Sequence, residues 1–169
     1  MKKKAIWLVG IILILVVIGM LLIPKKSDNT THLIRKQPET VMELLLTKKT
    51  GIYVFGFDTC PWCQELYPVL DDVLKNKKQE AWQVDTHGKN FTDKNKGDLK
   101  QYIVDNTSYD GVVVPMIIFI SDDGFTQYHV GTLDDHDATK ETMSKNQQRY
   151  LKELLQNMLT IYEQHNDKK

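Results

Sequence analysis

Ile52-Tyr53-Val54-Phe55-Gly56-Phe57-Asp58-Thr59-Cys60-Pro61-Trp62-Cys63 is the stretch on which the fold of this chain turns. Its first six residues are β-branched, aromatic or glycine, with no polar alternation, as expected of a strand covered on both faces. Beyond Cys63, Leu66, Val69, Leu70, Val73 and Leu74 keep the spacing of an amphipathic helix. Cys60 therefore stands where a strand ends and a helix begins. Unpaired backbone N–H groups and the positive end of the helix dipole favour thiolate over thiol at such a place. Cys63 follows one turn later on the same face, beneath Cys60 and less exposed. Pro61 suits the first helical position, where no N–H is needed, whereas Pro68 falls inside the helix and should kink it.

These are the only two cysteines in the 169 residues, which excludes a disulfide framework and a four-cysteine zinc site. No histidine pair has finger-type spacing, so a redox pair is favoured over half a metal site. Cys60 is the expected nucleophile towards a substrate disulfide, and Cys63 the thiol that resolves the mixed disulfide, leaving a redox-active Cys60–Cys63 disulfide. That disulfide itself carries two electrons. No cofactor or metal is required.

Outward from this centre, His32 to Arg35 reads as a short strand. Pro38 and Glu39 open a helix over 38–49, with Val41, Leu44 and Leu45 on one face and Gly51 as its stop. Ala81 to Asp85 reads as a strand, and the polar tract from Thr86 to Asp110 holds a helix around Asp98–Val104. Val112 to Ile120 is an apolar strand containing Pro115. Asp122-Asp123-Gly124 turns the chain so that Phe125 to Val130 returns antiparallel. Leu151, Leu154, Leu155, Met158, Leu159 and Tyr162 mark a closing helix, with Ser144 and Gln147 as a capping box. The order β, α, β, α, β, α, β, β, α predicts an α/β domain over 32–165, a mixed sheet with helices on both faces.

The amino terminus has a different character. Three lysines precede Ala5 to Ile23, nineteen residues without a charge or an amide. As a helix this run is about 28 Å long, close to the roughly 30 Å hydrocarbon core of a bilayer. It ends without the small residues of a cleavage site and without a lipid-attachment cysteine, so 1–23 is expected to be an uncleaved transmembrane anchor, and 24–31 a polar linker. Lys2, Lys3, Lys4 and the terminal amine outnumber Lys25 and Lys26, which predicts a cytoplasmic amino terminus and a domain outside the membrane. Disulfides persist there. Beyond residue 26 the chain has 17 basic and 22 acidic side chains, a balance that speaks against nucleic acid as a partner.

The pattern resembles the thioredoxin superfamily over most of residues 32–164. The matching features are the strand running into Cys60-Pro61-Trp62-Cys63, Pro68 five residues after the second cysteine, Val114-Pro115 before Met116-Ile117-Ile118-Phe119-Ile120, the hairpin through Gly124, Gly131, and the closing helix. The resemblance implies a cis-proline at Pro115 shaping the site, Val114 offering backbone pairing to an extended substrate, and polypeptide thiols or disulfides as substrates. A membrane redox partner would complete the electron path. Trp62 is expected as a substrate-contact aromatic. The anchor, linker and tract from Phe55 to Leu70 are also similar to the thioredoxin-like accessory proteins of Gram-positive bacteriocin systems, which implies secreted peptides as clients.

Two departures stand out. Thioredoxins carry a buried Asp six residues before the first cysteine; Val54 occupies that position here, leaving water or Glu65 to move the proton of Cys63. The Pro-Trp between the cysteines is closer to the Pro-Tyr of glutaredoxins than to thioredoxin's Gly-Pro. Two other functions stay open on sequence grounds, a non-catalytic client-binding module and a glutathione-dependent reductase. Asp134-Asp135-His136-Asp137 reads as a solvated loop rather than a cation site, and His87 and His129 as surface or structural residues.

Overall fold

The computed structural model describes residues 31–167. The anchor over 1–23 and all but the last residue of the linker lie outside them; among the described residues no helix is long and apolar enough to cross a membrane. Strand β2 (Gly51–Gly56) organises the rest. Its Ile52 and Val54 face one side and its Tyr53 and Phe55 the other, and all four are buried. A strand with no polar face must be covered twice. β2 pairs in parallel with β3 (Ala81–Asp85) and antiparallel with β4 (Met116–Ile120). β1 (Leu33–Arg35) and β5 (Thr126–Val130) form the edges, in the order β1-β3-β2-β4-β5.

Helices α1 (Pro38–Leu46) and α3 (Asp93–Asn106) cover the face of Tyr53, packing Val41, Leu45, Leu99 and Ile103 against Phe55 and Ile118. Helices α2 (Pro61–Lys77) and α4 (Lys145–Asn166) cover the opposite face, with Leu66, Leu70, Leu155 and Leu159 against Val54, Ile117 and Phe119. The element order matches the one expected from sequence, and β3 and the Ser144–Gln147 capping box fall on the predicted residues.

The differences have local causes. α1 stops at Leu46, well before Gly51, because the Thr47 hydroxyl donates to the Glu43 and Leu44 carbonyls and Lys48 takes a left-handed φ of 52°. The amides of Lys48 and Lys49 then close on the carbonyls of Leu45 and Leu44, and Gly51 is free to open β2. α3 extends to both sides of the expected helix, since Thr92 and Asn95 cap its start reciprocally and Leu99, Tyr102 and Ile103 bury one stripe of a polar segment. The apolar run from Val112 enters β4 only at Met116. The Val114–Pro115 bond is cis, and a proline has no N–H to give to a ladder. Pro68 sits on the exposed side of α2, which continues past it to Lys77.

Leu155 joins α4 to the sheet and is fully buried. Leu155→Ala should cost about 2–5 kcal/mol through lost transfer energy and the cavity left behind, read as a lower denaturation midpoint at unchanged slope.

Candidate active site

The chain leaves β2 at Gly56 and turns through Phe57, Asp58 and Thr59, a turn closed by the Cys60 amide donating to the Phe57 carbonyl at 3.2 Å. Cys60 is the N-cap of α2, with extended φ and ψ of −73° and 119°. Its sulfur accepts from the backbone N–H of Cys63 at 3.3 Å, while its carbonyl accepts the first intrahelical bond from Gln64. Pro61 takes the first helical position, as expected. The turn is pinned from outside. Arg35 of β1 donates two hydrogen bonds to the Asp58 carboxylate, and the Gln64 amide donates to the Asp58 carbonyl at 2.8 Å. That hydrogen bond to Arg35 holds Asp58 below the usual carboxylate range and raises Arg35, but both side chains are more than half exposed, so the pair adds at most about 1 kcal/mol.

The two sulfurs differ in access. Cys60 keeps 3% of its surface open and Cys63 none, and neither is in a disulfide. Cys60 lies just under the surface, between the exposed Asp58 and Thr59 and the half-buried Pro61 and Trp62. Burial, reinforced by its hydrogen bond with Cys60, pushes the Cys63 thiol up to about 12, against the opposing pull of the Phe57 backbone and the Tyr67 hydroxyl. Near neutral pH Cys63 is therefore held as a protonated thiol. The helix start thus presents one reachable sulfur and keeps a second in reserve against it.

Pro115 is buried and carries the cis bond from Val114, which is half-buried. The antiparallel register pairing Phe55 with Met116, continued by one residue, sets Pro115 across from Gly56 at the end of β2 where the cysteine turn begins. The Pro115 carbonyl accepts from Gly131, whose φ of 71° starts the loop after β5. Sequence and structure thus bring Cys60, Cys63, Pro61, Trp62 and Pro115 to one end of the sheet.

No family model and no curated protein matches the chain. Among solved structures, the crystal structure of chloroplastic thioredoxin z is similar at 13% identity and a TM-score of 0.40, covering 74% of this chain and 95% of that one. The mixed α/β sheet with flanking helices fits a thioredoxin-like fold. Strand order and the position of the two sulfurs, rather than that likeness, support this.

Glu65 is one of the two candidates for the proton role left vacant by Val54. Its carboxylate accepts from the Met143 amide at 3.1 Å, on the side of α2 that faces the start of α4. His87 stacks on Phe57 with ring centroids 3.6 Å apart, and His136 is buried. The Thr132 hydroxyl donates to Nδ1 of His136 and Nε2–H donates to the Glu141 carbonyl, so this histidine braces the loop before α4. Among the described residues no group of three or more His, Cys, Asp or Glu is arranged to hold a metal ion.

Sequence reasoning missed Gly56, Tyr67 and Gln83. A Cβ on Gly56 would stand 2.1 Å from the Tyr67 hydroxyl and 2.7 Å from Cys63 Sγ. Tyr67 could have been found as the residue four after Cys63, on the same helix face. Gln83 is the one polar side chain between Ala81 and Val84, both buried.

In the reduced protein at pH 7, one equivalent of iodoacetamide should label Cys60 and spare Cys63, read by mass mapping of peptides. Labelling of Cys63 should rise only as pH climbs towards about 12. Gly56→Ala should destabilise the fold by about 1–3 kcal/mol through overpacking, measured by denaturant titration.

Proposed function

We propose that the chain is a thiol–disulfide oxidoreductase that exchanges its Cys60–Cys63 pair with cysteines of polypeptides. The observation that carries this is the helix start, where Cys60 caps α2 and Cys63 sits against it with its N–H on the Cys60 sulfur. In the reducing direction, the Cys60 thiolate attacks a substrate disulfide. One S–S bond breaks as another forms, and the leaving sulfur departs with the electron pair. Cys63 then attacks Cys60, the Cys60–Cys63 disulfide forms, and the second substrate thiol is released. The oxidising direction runs the same steps backwards. No step needs a cofactor.

The finer parts of the proposal have their support in the sequence. The apolar run from Ala5 to Ile23 supports a membrane anchor, and the lysine bias supports a domain on the outer face. Similarity to bacteriocin accessory proteins supports secreted, cysteine-containing peptides as clients, with a membrane protein to recharge the pair.

The test is disulfide exchange on a cysteine-containing peptide by the full-length chain in detergent. Cys60→Ser should abolish exchange, while Cys63→Ser should accumulate a Cys60–peptide mixed disulfide visible on a non-reducing gel. Full activity of Cys60→Ser would refute the assignment. Protease added to intact cells should digest the domain; a protected domain would place it on the inner side.

A further inference from the structure

Tyr67 sets a hydroxyl into a largely apolar face. It lies one turn after Cys63 on α2, its ring packs on the core beneath the sheet, and its hydroxyl is buried without a hydrogen bond of good geometry. A native protein seldom leaves a buried hydroxyl in that state. Gly56 explains how it fits, because the oxygen of Tyr67 and the sulfur of Cys63 share the space that a Cβ on Gly56 would occupy. The other polar group it faces is Gln83 of β3, which is 6% exposed and registered against Val54. The place of a buried carboxylate on β2 is thus apolar, and the polar group stands one strand over. Tyr67 and Gln83 also line an open cleft of about 590 Å³, together with Arg35, Asp58 and Asp71.

We propose that Tyr67, oriented by Gln83, is the positioning residue for the second half of the exchange, its hydroxyl donating a hydrogen bond to Cys63 Sγ as that sulfur becomes anionic. The proposal rests on Cys60 and Cys63 being the redox pair. In that half-reaction Cys63 gives its proton to water, and its thiolate attacks Cys60 Sγ of the mixed disulfide. The Cys60–Cys63 bond forms and the bond to the substrate sulfur breaks. The substrate leaves as a thiolate with the electron pair and takes a proton from water. Burial raises the ionisation of Tyr67 well above its usual range, so the phenol remains a donor throughout, and its presence lowers Cys63 against the upward push of burial. The titratable groups acting on the pair are Cys60 at the cap of α2 and Arg35 on β1; Asp58 in the turn and Asp71 on α2 line the cleft beside Tyr67, and Asp85 on β3 acts on Arg35.

The experiment adds one equivalent of 5,5′-dithiobis(2-nitrobenzoate) to the reduced full-length chain in detergent and follows thionitrobenzoate release by absorbance. The first release reports attack by Cys60, and the second reports resolution by Cys63. Tyr67→Phe should leave the first phase within about twofold. It should slow the second about tenfold at pH 7 and move the midpoint of its pH profile up by about one unit. Gln83→Leu should change the second phase in the same direction and by less. An unchanged second phase and pH midpoint in Tyr67→Phe would overturn the role of Tyr67, and a fully wild-type Gln83→Leu would remove Gln83 from it. A wild-type chain that gives no second release would instead sink the redox pair itself, so the two failures are told apart.

Discussion

The hydrogen bond from the Cys63 N–H to the Cys60 sulfur sits at the point where the chain leaves the sheet, and the site is built around it. It exists because β2 ends at Gly56, a short turn closes on the Phe57 carbonyl, and α2 begins with free N–H groups. A cap supplied by Ser or Asp would satisfy the same donor. A sulfur there does so while remaining a nucleophile. Pro61 helps by taking the first helical position, where its missing N–H costs nothing.

The rest of the fold holds that junction still. β2 is central, paired on both edges and covered on both faces, so its end cannot drift. The long α2 packs on the sheet and alongside α4, through Leu66 and Leu70 inside and a salt bridge between Lys77 and Glu163 at the far end. β4 lies antiparallel on the other edge of β2 and delivers Pro115 to the same end of the sheet as the cysteines. A parallel neighbour would have placed the start of that strand at the opposite end.

Burial separates the two sulfurs in access and in ease of ionisation. They belong to one turn of helix, yet the amphipathic spacing that buries Leu66 and Leu70 also carries Cys63 under the surface. The desolvated thiol is costly to ionise, which keeps it from competing with Cys60 for outside partners. For the proposed resolving step the same burial creates a difficulty; the side-chain hydroxyl beside Cys63 is that of Tyr67, which faces Gln83 in turn.

Local pattern made most of this legible. The unalternating apolar run before Cys60, the helical spacing after Cys63, the strand at Ala81–Asp85 and the Ser144–Gln147 box all depend on neighbours in sequence, and each was found where the residues put it. Boundaries set by weaker local signals were misplaced. Thr47 and Lys48 end α1 without a glycine, and Asn95 completes a capping box without a Glu or Gln. By itself the sequence determined the element order, the cysteine pair and its place at a helix start, because each follows from chemistry a few residues apart. Only the tertiary structure decided that Glu65 turns to Met143, that Gly56 makes room for a tyrosine beside Cys63, and that Gln83 lies next to Val54. Those relations join residues from different strands and from opposite sides of a helix, and they exist only once the sheet has fixed its register.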